Sequence, residues 1–350
     1  MNDLIIERGI SMIKRIALVL ALVCLASTAG FTSSNRFQSR AADENPQRRS
    51  AAERSVERES DEDCQRLYDH TNFDQAVKLV AEEKRTLSRS SINGIDVEGS
   101  VNGGVSIKGW DQQEILVKAC KLAGAQTKEE AQGLLDQISI STEGGKIFSR
   151  GPEDSMTGRR AWVVQFLIYV PRDLAVEASV HNGGLSLTDL TGRVNAKSRN
   201  GGIAIRNSGG MENLIELFAQ NGGIALSNVA GRINARTANG GISLSGGRGD
   251  VKLESQNGGI VIRLPERDWS GESLQAHSNN GGLVLKVPQG FGSGIEAETS
   301  THATLDCRLP ECRQGQRDEE ENRKHVRIGG AAAVVRVSTQ NGMLQILPEH

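Results

Sequence analysis

Seven cationic side chains carry the clearest chemical suggestion in this sequence. Arg193, Lys197, Arg199, Arg206, Arg232, Arg236 and Arg263 fall at outward positions of a repeated segment. Cations repeated at a fixed rise suit a polymer of repeated anions, because guanidinium groups form strong, bidentate hydrogen bonds with them. The plainer reading of the same residues, and the favoured one, is solvated edges that keep strands from pairing with other chains.

Other chemistry is sparse. The six histidines, His70, His181, His277, His302, His325 and His350, show no metal-ligand spacing, so no metal or other cofactor is expected. No Gly-x-Ser-x-Gly elbow precedes a helix, and no Gly-rich segment runs into Lys-Ser or Lys-Thr as a phosphate loop does. The outward acids of the repeats, chiefly Asp189, Glu216, Asp250 and Glu254, do not recur at one offset as a catalytic pair would. The expectation is therefore a non-enzymatic protein. Two alternatives stay open: a polysaccharide-active β-helix enzyme, and a regulatory component of an envelope stress system.

Charge excludes another class. The 41 basic and 43 acidic side chains leave a net charge of −2, too little positive charge for a binder that neutralises nucleic-acid phosphates. The chain of 350 residues carries 40 Gly against 7 Phe, 3 Trp and 2 Tyr. Any core must then be aliphatic.

A repeat supplies that core. Asn-Gly-Gly followed by Ile or Leu begins at Asn182, Asn200, Asn221, Asn239, Asn257 and Asn280, at spacings of 18, 21, 18, 18 and 23, with partial copies at Asn102 and Asn341. The third and fifth residues after each Asn are apolar, as in Ile203 and Ile205 or Leu283 and Leu285. The sixth and fourth before it are apolar too, as in Val194 and Ala196. Alternation at period two predicts two short strands per unit. Two before the Asn stand Ser198, Thr237, Ser255, Ser278 and Thr339, hydroxyls that could form a ladder. A second glycine, ten after the Asn, marks another corner.

One such unit buries too little to offset its own ordering, so neighbours must stack. The expected fold is all-β, a parallel β-solenoid of about 18-residue coils with one short helical insertion; the alternative is an antiparallel β-meander with Asn-Gly hairpin turns. Like residues at like offsets favour stacking, with the corner asparagines forming an amide ladder. Thr127-Lys128-Glu129-Glu130 reads as a capping box ahead of Ala131, Leu134 and Leu135. Ala161 to Val170 reads as a buried strand stopped by Pro171, and the charged run Arg313 to His325 as a rim loop.

Three regions follow: a signal peptide over 1–29, a polar and disordered segment over 30–90, and the repeat domain over 91–350. Met12-Ile13-Lys14-Arg15, an apolar run to Ala26 and small residues to Ala29 make the export signal; left uncleaved, it would associate the chain with a membrane. Export to a periplasm or cell surface makes disulfides reasonable, with Cys307 and Cys312 the first pair and Cys64 with Cys120 the second.

Gly103 to Trp110, the helical insert, Val170-Pro171-Arg172-Asp173 and the Asn-Gly-Gly-Ile repeats together resemble the bacterial DUF4097 family of adhesin-like β-strand-repeat proteins. The likeness covers about Ser91 to Leu347. It implies an exported binding, adhesion or scaffold module at the cell envelope, and offers no catalytic residue to transfer. The partner would be an envelope polymer, lipid or protein, not nucleic acid.

Overall fold

The computed structural model describes residues 64–65, 68–69, 75–153, 160–301, 303–313, 315–320, 323–329 and 332–349. The expected signal segment, and most of the polar stretch after it, lie outside the described residues. The chain divides into two units, Met1–Asp74 and Gln75–His350. In the first, the described residues are helical.

The second unit is a stack of coils, each contributing one strand to each of two faces. On the face after the Asn-Gly corner, Leu185, Ile203, Ile224, Ile242, Ile260, Leu283 and Leu344 stand in one parallel register. None is more than 2 % exposed. On the face before the corner, Val176, Val194, Ile215, Ile233, Val251, Leu274 and Val335 form the matching column. Burial of each such side chain contributes about 1.5–3 kcal/mol, and parallel pairing lets successive coils share one continuous core.

Antiparallel pairing, the expected alternative, occurs among the described residues only toward the two ends. At the first end, Val77–Ser88 pairs with Glu114–Ala125, which pairs in turn with the buried strand Ala161–Pro171. The ordered sheet therefore begins inside the segment 30–90 that its polar composition assigned to disorder. Alternating Val77, Leu79 and Ala81 supply the apolar contacts of that strand. The helix Lys128–Gln137 packs beside these strands through Ala131, Leu134 and Leu135. Its cap is reciprocal: Thr127 Oγ1 accepts from Glu130 N–H, while the Glu130 carboxylate accepts from Gln126 N–H.

The other end corrects the expected rim loop at Arg313 to His325. Gln316–Glu320 and Arg323–Ile328 form a hairpin laid antiparallel on Gly294–Ser300. Charge did not prevent strand formation there; an edge strand rich in charged residues blocks further pairing. Just before it, Cys307 and Cys312 form a disulfide with Cα atoms 6.0 Å apart, bridging the turn Pro310–Arg313.

Chain order and spatial order differ at both ends. The strands Gly94–Glu98 and Val105–Trp110 lie between those of Ala175–Val180 and Leu185–Thr188 on one side and Lys146–Arg150 and Ala161–Pro171 on the other. The last coil, Ala333–Asn341 and Leu344–Pro348, lies between the coil of Ser273–Asn280 and that of Gly294–Ser300. The C-terminal residues thus fill an interior position of the stack.

Candidate functional site

The corners set the rigidity of everything outside them. Each corner asparagine donates its side-chain Nδ2–H to the Oδ1 of the preceding one: Asn182 to Asn102, Asn200 to Asn182, Asn221 to Asn200, Asn239 to Asn221, Asn257 to Asn239 and Asn280 to Asn257, at 2.8–3.0 Å. Asn341 closes the series on Asn280 at 2.9 Å. Such aligned amides polarise one another.

The inward hydroxyls do not form the expected ladder among themselves. Thr237, Ser255, Ser278 and Thr339 donate instead to the first-glycine carbonyl of the neighbouring corner, Gly222, Gly240, Gly258 and Gly281, at 2.8–2.9 Å. A glycine is required there, because a Cβ on Gly222 would overlap the Gly201 carbonyl of the next coil. A second column sits at the opposite corner, where Asp189, Asn207 and Asn228 take positive φ and Asn228 donates to Asn207 at 3.0 Å. Short polar side chains tolerate that conformation better than others do, a signal the sequence contained and the repeat alignment missed.

This frame holds a polar grid on the face before the corner. One column runs Lys252, Gln275, Arg336, Glu296 and the next Glu254, His277, Ser338, Glu298, in strict register. Between them lies an open groove of about 330 Å³. Rungs repeat at about 4.8 Å. His277 Nδ1 meets Ser338 Oγ at 2.8 Å, and its Nε2 meets Asn279 Oδ1 at 2.7 Å. Glu296 receives Arg336 at 3.3 Å and His325 at 3.1 Å. Burial pushes the Glu254 carboxyl up. The Lys252 hydrogen bond, with the charges of Arg236, Lys252 and His277, outweighs it and holds the carboxyl below its ordinary value.

A hydroxyl on an imidazole that is itself held by an amide has the outline of an activated nucleophile. Here the surrounding backbone N–H groups are engaged in parallel sheet pairing. The arrangement therefore offers fixed donors and acceptors to a ligand, rather than an oxyanion hole.

The structure does not bring the seven cations of the sequence reading into one face. Lys197 and Arg236 share a column but are separated by Phe218. Arg206 and Arg263 share another, on the opposite face, separated by Ser227 and Ser245. Arg193 just precedes the strand Val194–Ser198, Arg232 lies inside the strand Ile224–Asn239, and Arg199 sits beside the corner at Asn200. Carboxylates intervene: Arg193 pairs with Glu216 at 3.3 Å, Lys197 with Glu177 at 3.9 Å and Arg236 with Glu254 at 2.8 Å. Apart from Glu254, the grid residues escaped the sequence reading for a topological reason. Ser338 comes to lie between His277 and Glu298, and Arg336 between Gln275 and Glu296, only because the last coil enters the stack out of order.

A parallel β-solenoid that displays side chains on an open sheet is the class defined by this geometry. The family model Toastrack DUF4097 matches residues 74–305, and the chain belongs to that family. No curated protein matches. Among solved structures, the chain is similar to a Bacteroides fragilis protein described as a putative adhesin, at 11 % identity and a TM-score of 0.37, over 80 % of this chain and 100 % of that one. It is also similar to a Clostridium sporogenes protein described as a putative cell adhesion protein, at 8 % identity and a TM-score of 0.20, over 77 % of this chain and 100 % of that one.

Proposed function

We propose that this protein is an exported, non-enzymatic binding and scaffold module of the cell envelope, and that its lateral groove grips an extended polar polymer. One observation carries the reading. Two columns of hydrogen-bonding side chains, from Lys252 and Glu254 to Glu296 and Glu298, stand in fixed register across four adjacent strands. A polymer laid along the stack meets the same pair of columns at every rung. The side chains need little ordering on binding, since His277, Glu254 and Glu296 are already held by neighbours, and preorganisation of this kind saves affinity.

Export is supported by the basic and apolar pattern from Met12 to Ala29 and by the Cys307–Cys312 disulfide, which belongs to an oxidising compartment. The test is retention of the purified protein by isolated envelope material. Replacing both His277 with Ala and Arg336 with Ser should lower retention at least fivefold while the thermal midpoint stays near that of the parent. Unchanged retention would remove the groove from the reading. Release of reducing ends from the polymer, lost on Glu298→Gln, would replace binding with catalysis.

A further inference from the structure

Two columns of satisfied hydrogen bonds end at the same place. The amide ladder has a direction: every bond runs from Nδ2 toward the coil nearer Asn102, so its carbonyl end is Asn341 Oδ1. Aligned hydrogen bonds strengthen one another, which makes the terminal carbonyl a better acceptor than an isolated amide. The inward hydroxyl column stops there as well. Thr299 continues the register of Thr339 and is 2 % exposed, yet its Oγ1 has no hydrogen-bond partner.

The corner sequence explains both endings. The outer coil has no Asn-Gly-Gly at this corner, and Ala303 N–H bonds the Ser300 carbonyl there instead. Ser300 Oγ donates to the Gln340 carbonyl at 2.7 Å and Leu344 N–H to the Thr304 carbonyl at 2.8 Å, and between these two ties lies a groove of about 270 Å³ lined by Ser300, Ala303, Thr304, Gln340, Asn341 and Met343 among others. Met343 is 48 % exposed at its edge, an apolar surface beside a strong acceptor.

We propose that this groove binds the acetamido group of an N-acetylated amino sugar, as one further rung of the ladder. This deepens the envelope-binding reading and rests on it for the source of the glycan. A trans secondary amide donates from one edge and accepts at the other, the same polarity that each asparagine presents. Its N–H meets Asn341 Oδ1, its carbonyl faces the Thr304 side of the groove, and its methyl packs on Met343 and Ala303. The exposed methionine selects the acetamido group over the side chain of a bound Asn or Gln, which places no methyl there.

The test is titration of the intact protein with a β-1,4-linked trimer of N-acetylglucosamine, against the uncharged trimer of glucose with the same linkage. The acetylated trimer should bind at least tenfold tighter. Met343→Ser and Asn341→Ala should each weaken it at least fivefold; the first tests the site without touching the ladder. Equal affinity for the two trimers, or none for either in folded protein, overturns the proposal. Loss on His277→Ala with retention on Met343→Ser also overturns it, and places the sugar in the lateral groove, so the envelope-binding reading survives. Binding of a glutamine-containing peptide but not the trimer reassigns the groove to peptide and ends the sugar proposal.

Discussion

The side-chain amide of Asn341 donates to the carbonyl of Asn280 at 2.9 Å across 61 residues of sequence. The contact joins the last coil to one completed before the outer coil and its hairpin are made. It makes the ladder a long-range restraint on the C-terminal half, and not merely a local turn device.

A mid-ladder residue should therefore matter more than a terminal one. Asn239→Ala removes one bond as donor and one as acceptor, and net contributions of about 0.5–1.5 kcal/mol per bond predict a loss of about 1–3 kcal/mol. Asn341→Ala removes one and should cost about half as much. Urea unfolding of the two variants measures the ratio; equal losses would show that the amides act independently of the ladder.

Two glycine substitutions should have opposite signs. Gly222→Ala drives a Cβ into the Gly201 carbonyl and should destabilise by about 1–3 kcal/mol or more, as overpacking does. Gly133 lies in the helix with open space where its Cβ would stand, so Gly133→Ala should stabilise by about 0.5–1 kcal/mol. Thermal midpoints compare them directly.

Acid should loosen the lateral face. The folded-state Glu254 carboxyl lies below its ordinary value of 4.5, so its contribution is fully present above that pH and is lost as pH falls through the folded value. Glu83, where burial is outweighed by hydrogen bonds from Lys121 and Arg85, is lowered in the same sense. The slope of stability against pH below 4.5 should flatten in Glu254→Gln; an unchanged slope would assign acid sensitivity elsewhere.

Much of this was legible from the repeat itself. The aliphatic columns, the amide ladder and the capped helix follow from offsets that recur because stacked coils place like on like. The hydroxyl column was legible in position but not in partner: Thr237 and Ser255 lie beside glycine carbonyls that approach closely only because the corner lacks side chains. The lateral grid was not legible. His277 and Ser338 meet through a non-sequential insertion, and nothing local to either residue reports it.

The cations suggested by sequence supply a contrast. Arg199, Arg232 and Arg236 occupy different columns, and Arg236 is already engaged by Glu254. Replacing all three with Ser should alter sedimentation with envelope material less than the His277 and Arg336 changes do. A larger effect would restore an electrostatic face, and its steep loss with added salt would identify it.

Removing the disulfide should be felt locally. Cys307 and Cys312 close a short loop, for which chain entropy predicts about 2 kcal/mol. In the double Ser variant, amide exchange should quicken around Pro310–Arg313 and leave Ile224–Asn239 unchanged.

The interior seat of the final coil makes the protein's completion depend on its tail. Residues 333–348 form a slab with neighbours on both sides, so the outer layer has nothing to rest on until those residues have been made. A nascent chain held by a ribosome or an export channel keeps an unfinished terminus, and a shortened chain loses its foundation for the closing hairpin along with the missing residues.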